Sequence, residues 1–365
     1  MLPPVASQYC LTSPPTTPAQ YQQAFDGLRT VWTEWAAADG AYPVNLPDGR
    51  VLWMFGDTIV GRVRPDASIA NPWKFVRNSL VVQQGACFTP LMGGSRGNRV
   101  DAIPHPTFGD WLWPTGGVVE NGGNTLRVFM LHMRYHDNPN TEMFDFEFID
   151  VMVATYSLPN LGSPTVQSLA QLPAAPNYGE AVLVPGGADP YLYLYGHTGV
   201  FFQSPPKHYV ARVLVGNETA VNPGWEYLDA TTNTWSTDKN LATPVPFPGT
   251  PNNNTPPAPD TERGPLDALS VIAHGGGYIA VAKPAGALDD RIMTWSAPAP
   301  YGPWTFVGLA ASGLPHDLGG TFTYGGHVAD LPGAATTLMW SMNRNPLSDV
   351  IANNNWYKPL FIPFA

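Results

Sequence analysis

The sequence predicts an all-β fold, a five-bladed β-propeller in a single domain, on three observations. The first is composition. Pro (40) and Gly (36) together exceed a fifth of the 365 residues, charged residues make up only 13%, and aromatics reach 12%. That mixture suits many turns and short strands carrying large flat side chains, whereas a disordered chain is poorer in aromatics. The second is period. Beyond residue 24, apolar residues alternate over a few positions and then break at Gly or Asp, with no long helix-period segment. The third is repetition, because units of this kind recur along the chain as propeller blades do.

Five units are legible. Each has an apolar strand, a turn and a second apolar strand: Gly40–Leu46 with Val51–Thr58, Gly117–Glu120 with Leu126–Arg134, Ala181–Val184 with Tyr191–Thr198, Leu269–Ala273 with Tyr278–Lys283, and Thr321–Ala329 with Thr337–Arg344. Third strands are expected at Asn78–Gln84, Val151–Leu158, Tyr209–Val215 and Arg291–Ala297. Residues 1–24, rich in Pro, Thr and Gln, read as an extended leader, and residues 25–365 as the propeller. Tyr357–Ala365 is expected to close the ring against the N-terminal strand. Leu241–Pro265, without any apolar period, reads as a rim loop or an insertion.

Charge narrows the partners. A net charge of −10 and a pI near 5.1 exclude the basic stripe that nucleic acid or an anionic membrane surface requires. A neutral polymer such as a glycan remains, beside plain solubility. No run of 18 apolar residues is present to span a membrane. The only cysteines, Cys10 and Cys87, are candidates for one disulfide in an oxidising compartment, with two buried thiols as the alternative. No signal peptide is visible at Met1, but Leu2–Ser7 reads as the start of a mature chain, so a secreted, monomeric protein is expected. No cluster of metal ligands and no phosphate loop stands out. No cofactor is expected, a structural Ca²⁺ aside. The absence of a Gly-x-Ser-x-Gly elbow argues against an esterase.

The most informative stretch is Trp35–Gly61. Leu46-Pro47-Asp48-Gly49-Arg50 carries the chemistry of a three-residue hairpin loop with a bulge. Leu46 then pairs with Arg50, and counting back sets Asp39 opposite Asp57, with Cβ atoms ~5 Å apart. Two carboxylates so close are costly unless one of them holds a proton, which is the condition for an acid working beside a nucleophile or base. Glycoside hydrolysis uses such a pair across the scissile bond, and a separation near 5 Å leans toward retention. The alternative is that Asp39 opens a turn and Asp57 ends a strand.

The pattern Asp39-Gly40…Leu46-Pro47-Asp48-Gly49-Arg50-x-Leu52-Trp53-x-Phe55-Gly56-Asp57-Thr58, followed by Arg77-Asn78-Ser79-Leu80-Val81-Val82, resembles the endo-D-arabinofuranases of glycoside hydrolase family 183. Ile292–Trp304 and Trp340–Asn345 are similar too. The resemblance implies a five-bladed propeller acting on the arabinan of mycobacterial arabinogalactan and lipoarabinomannan, with Asp39 and Asp57 as the catalytic pair.

Further substrate-binding candidates follow from position. Trp35 lies four residues before Asp39, and Thr58 follows Asp57. Asn78 and Asn343 are polar residues on apolar strands. Trp111 and Trp113 are aromatics ahead of the second unit. Glu180, after Tyr178-Gly179, adds a third carboxylate, and His197 stands in its unit where Asp57 stands in the first. Tyr324 and His327 flank Gly325-Gly326. Each has a structural alternative as a core or backbone-satisfying residue. The rival functions are a carbohydrate-binding propeller without catalysis and an exo-acting arabinofuranosidase.

Overall fold

The structure, a computed structural model, describes residues 8–30, 33–135, 146–169, 176–185, 187–198, 207–219, 224–248, 269–284, 289–317 and 320–364. Nearly all regular structure is antiparallel sheet, and five small sheets follow one another along the chain as the blades of a five-bladed β-propeller.

In the first blade, β1 (Tyr9–Cys10) precedes helix α1 (Pro18–Leu28), β2 (Trp35–Asn45), β3 (Val51–Val63), β4 (Ile69–Val76), β5 (Ser79–Gln84) and β6 (Cys87–Leu91). The strand order is β1-β6-β5-β3-β2, with β4 on the far part of β3. A ribbon of β7 (Gly93–Ser95) and β8 (Asn98–Val100) follows. The second blade is β9 (Trp111–Glu120), β10 (Thr125–Tyr135), β11 (Phe146–Ser157) and β12 (Thr165–Ser168). The third holds β13 (Ala181–Leu183), β14 (Tyr191–Thr198), β15 (Lys207–Leu214), β16 (Glu226–Asp229) and β17 (Thr234–Ser236). The fourth holds β18 (Ser270–His274), β19 (Gly277–Ala282), β20 (Ile292–Ala297) and β21 (Thr305–Ala311). The fifth is β22 (Thr321–Ala329), β23 (Thr337–Arg344) and, after helix α2 (Leu347–Ala352), β24 (Lys358–Pro363). All five strand pairs read from the sequence are present. Of the loop at Leu241–Pro265, residues 249–265 lie outside the described residues.

Two compact units divide the chain. Met1–Ser168, Asp317–Phe322 and Ala329–Phe364 make the first; Leu169–His316 and Thr323–Val328, with Ala365, make the second. The core of the first is aromatic. Phe25 of α1 meets Trp53, Phe55 and Phe88 edge-on at 5.0–5.5 Å and stacks on Phe361 at 5.4 Å. The second has its own core of Tyr193, Tyr195, Trp295 and Trp304.

Two expectations are corrected here. The leader is not extended throughout, since residues 18–24 belong to α1. Thr17 caps the helix by accepting from the Gln20 amide, Pro18 opens it, and Tyr21, Ala24, Phe25 and Leu28 form one buried face. The C-terminal segment pairs with β23 rather than with an N-terminal strand. Its outer edge is met by α1, where Gln22 accepts from the Phe361 amide and donates to the Pro359 carbonyl. Cys10 and Cys87 are joined in a disulfide, tying β1 to β6.

Candidate functional site

The site grows out of the β2–β3 hairpin. Its turn forms as the residues dictate, with Gly49 at φ +84° and the Leu46 amide donating to the Arg50 carbonyl at 2.8 Å. From Asn45↔Val51 to Tyr42↔Met54 the register is the expected one. Between Tyr42 and Ala38 it breaks twice. Gly40 and Ala41, at φ +90° and +89°, add a residue to β2, so that Gly40 faces Phe55. Between Gly40↔Phe55 and Ala38↔Thr58, Asp39 alone stands against both Gly56 and Asp57. The two bulges offset each other, and the pairing returns to its original count at Ala38. Asp39 and Asp57 are therefore brought together, but as one residue against two rather than as a directly opposed pair.

Gly56 makes this arrangement possible. A Cβ placed there would lie 2.5 Å from Asp39 Oδ1 and 3.7 Å from Trp113 Cδ1. The Asp39 carboxylate thus occupies the space that any other residue at 56 would fill. The backbone on both sides is fixed from the fifth blade. Ser341 Oγ accepts from the Gly40 amide at 2.8 Å, and the Tyr357 hydroxyl donates to the Asp57 carbonyl at 2.8 Å.

The Asp57 side chain faces donors. Trp113 Nε1 donates to Oδ1 at 2.9 Å, and Arg77 Nη1 lies 3.2 Å from Oδ2 and 3.4 Å from Oδ1. Burial pushes the carboxyl up to about 6, with Asp101 adding to the rise, while Arg77 and Trp113 pull the other way. Burial also raises Asp101, whose carboxylate accepts from the Arg77 amide at 2.8 Å. The Arg77 guanidinium lies 4.4 Å from the Trp111 ring and 5.4 Å from that of Tyr135, whose hydroxyl it also contacts.

Trp35, Thr58, Asn78 and Trp111 are buried, and Asn343 is half-buried. Trp35 lies in the aromatic core and donates to Ser79 Oγ at 3.0 Å, and Thr58 shares a hydrogen bond with the same hydroxyl. Asn78, fully buried, donates to the Ile103 and Leu112 carbonyls and accepts from the Ile103 amide, so it pins backbone. Trp111 is buried beneath Arg77. Asn343 Oδ1 accepts from the Arg344 amide. Among Trp35, Thr58, Asn78 and Trp111, the Trp111 indole N–H is the group that finds no acceptor among the described residues.

Tyr178, Glu180, His197, Tyr324 and His327 belong to the second unit. There Glu180 and His197 form a buried pair at 2.5 Å, and His327 Nδ1 donates to the Gly325 carbonyl. Tyr178 is buried and Tyr324 half-buried.

Among the described residues, one group has metal-ligand spacing: His105, Asp110 and His132. Their geometry does not suit a metal. The two imidazoles stack 4.0 Å apart with planes 20° from parallel, and in-plane lone pairs of stacked rings cannot converge on one ion. The Thr107 amide already donates to His105 Nδ1. Instead, His132 meets Asp110 at one ring nitrogen and Asp150 at the other, at 2.9 and 2.8 Å. Arg134 holds Asp110 bidentately, far below the usual carboxylate range. The cluster fastens the start of β9, the strand that delivers Trp111 and Trp113.

A family model described as "Domain of unknown function (DUF5005)" matches residues 22–364. The chain belongs to that family. No curated protein matches the sequence. Among solved structures, a candidate hydrolase from Bacteroides ovatus ATCC 8483 is 19% identical, covering 94% of this chain and 88% of its own, with a TM-score of 0.65. The GH43_1 enzyme of Xanthomonas citri, solved with xylotriose, is 16% identical over 95% and 93%, with a TM-score of 0.51. At these identities the likeness is one of fold, and it places this DUF5005 chain among the five-bladed propellers.

Arg77, Phe75, Tyr135 and Tyr357 were not legible as site residues. Arg77 had a signal, since an arginine opening an apolar strand needs a counter-charge. Phe75 and Tyr135 are placed by strand pairing, and Tyr357 by the turn that leads into β24.

Proposed function

We propose that this protein is a secreted glycoside hydrolase that cleaves arabinofuranosyl linkages within an arabinan chain, with Asp39 and Asp57 as its carboxylate pair. The observation that carries the reading is Asp57, clamped by Arg77 and Trp113 and raised to about 6, beside a glycine whose missing side chain leaves room for the Asp39 carboxylate. Both Asp57 oxygens face N–H donors, which hold in place the carboxylate that forms above pH 6. Asp57 is therefore the group that acts at the anomeric carbon, as nucleophile or as base for water. Asp39 is then the acid that protonates the departing glycosidic oxygen. The choice of arabinan rests on the family 183 resemblance of the hairpin motif. The sugar complex of the Xanthomonas fold relative accords with a neutral glycan, and the Cys10–Cys87 disulfide with export.

The test is product release from purified mycobacterial arabinogalactan, with xylan as the comparison. Short arabino-oligosaccharides from the first and nothing from the second are expected. Binding of the polymer without any release would favour a carbohydrate-binding propeller instead.

The pH profile tests the roles. With Asp57 titrating near 6, kcat/KM falls as pH drops through that value, because the protonated carboxyl neither attacks nor takes a proton. Arg77→Met removes the nearest cation, so the acidic limb is expected to move up by about one pH unit or more. An unmoved limb would assign it to another group.

A further inference from the structure

Beside Asp57 the surface carries two exposed rings. Phe75, paired with Ile59 two residues beyond Asp57, is 37% exposed, and Tyr135, the last residue of β10, is 53% exposed. Both lie about the Arg77 guanidinium, at 5.5 and 5.4 Å from its carbon. Beneath, Trp111 carries the guanidinium on its buried ring, and Trp111 and Tyr135 are 4.7 Å apart. Arg77 is thus immobilised on three sides by Asp57, Trp111 and the Tyr135 hydroxyl. The rings that flank it are presented rigidly and at little entropic cost to a ligand.

Resting on the glycosidase reading above, we propose that Phe75, Arg77 and Tyr135 form a subsite for a neutral sugar unit next to the one being cleaved. The C–H face of a sugar packs on an aromatic face, while its hydroxyls reach the guanidinium edge and the phenol. Neutrality follows from charge. Arg77 is already matched by Asp57 at 3.2 Å, so the platform offers no excess cation to an anionic unit such as a uronic acid. A contiguous unit bound here demands a substrate of more than one sugar.

The experiment uses the full chain and a graded series of neutral arabino-oligosaccharides alongside the polymer. Tyr135→Ala is expected to raise KM for the polymer about tenfold while kcat falls less than threefold, and Tyr135→Phe, which keeps the ring, to restore KM to within twofold of wild type. Phe75→Ala is a second, independent probe with the same expected split. An unchanged KM in both alanine variants would overturn the subsite. So would a loss confined to kcat, which would mean that Tyr135 acts only through Arg77 on Asp57. Tryptophan fluorescence titration with the oligosaccharides separates the two readings. If the wild type turns over nothing yet binds, and Tyr135→Ala weakens binding tenfold, the subsite stands and the glycosidase reading falls. If wild type hydrolyses arabinan and neither alanine variant changes binding, the subsite falls alone.

Discussion

Asp57→Asn is expected to lower turnover at least about 1000-fold while making the folded protein more stable. The first half follows from the chemistry proposed for the carboxylate, since an amide is neither a nucleophile nor a base. The second half follows from burial. Asp57 is raised from 3.8 to about 6, so the folded chain binds this proton more tightly than the unfolded chain. The favourable contribution is therefore complete below the unfolded value and is lost as pH rises through the folded one. At neutral pH the ionised group costs at most about 3 kcal/mol relative to its protonated form. Asparagine keeps the shape, still accepts from Trp113, and carries no charge to desolvate. Part of the gain is offset because Arg77 loses its counter-charge, although at 25% exposure water replaces some of it. A melting temperature a few degrees above wild type, with silent turnover, marks a residue retained for chemistry. A lower melting temperature would mark the Asp57–Arg77 pair as structural.

The sequence carried the blade count and the hairpin because both rest on local rules. A Pro-Asp-Gly turn sets register over the next four pairs, and alternation names the strands. What it could not carry was the double irregularity at Gly40–Ala41 and Gly56–Asp57. A left-handed alanine such as Ala41 has no sequence signature, and it is sustained by partners 300 residues away, such as Ser341 on the neighbouring Gly40 amide. Helix α1 was a different failure. Thr17, Pro18 and the spacing of Tyr21, Phe25 and Leu28 announce a helix, but a Pro- and Gln-rich context masked it. Trp35, Thr58 and Asn78 were drawn toward the site by proximity in sequence. In a strand that proximity alternates faces, and a polar atom on an inner face is as readily spent on backbone or a neighbouring hydroxyl. The Phe-Gly-Asp-Thr and Tyr-Gly-His-Thr strand ends share a close approach at the glycine that the sequence reading did not draw out. A Cβ on Gly196 would meet the Asn177 carbonyl group at 2.5–2.6 Å, as one on Gly56 would meet Asp39.

That close approach makes Gly56→Ala the second decisive substitution. Gly56 does not adopt the left-handed conformation, so alanine can take its backbone angles without strain. Its methyl group cannot take the space, because Asp39 Oδ1 is 2.5 Å away and a carbon–oxygen contact needs nearly an ångström more. The Asp39 carboxylate must swing aside by roughly that distance, enough to cost about 100-fold in kcat when the displaced group is an acid or base. The fold is expected to tolerate the change, since the obstructing atom ends a side chain rather than lying in backbone. Gly49→Ala in the same hairpin is the opposite case. It sits at φ +84° with nothing within 4 Å of a new Cβ, so it strains the turn, lowers the melting temperature and leaves kcat alone. A double-mutant cycle then identifies the route. If Gly56→Ala acts through Asp39, adding it to Asp39→Asn costs little more than Asp39→Asn alone. Fully additive losses would mean that the methyl group damages something else, with Trp113, 3.7 Å from the same point, the next residue to test.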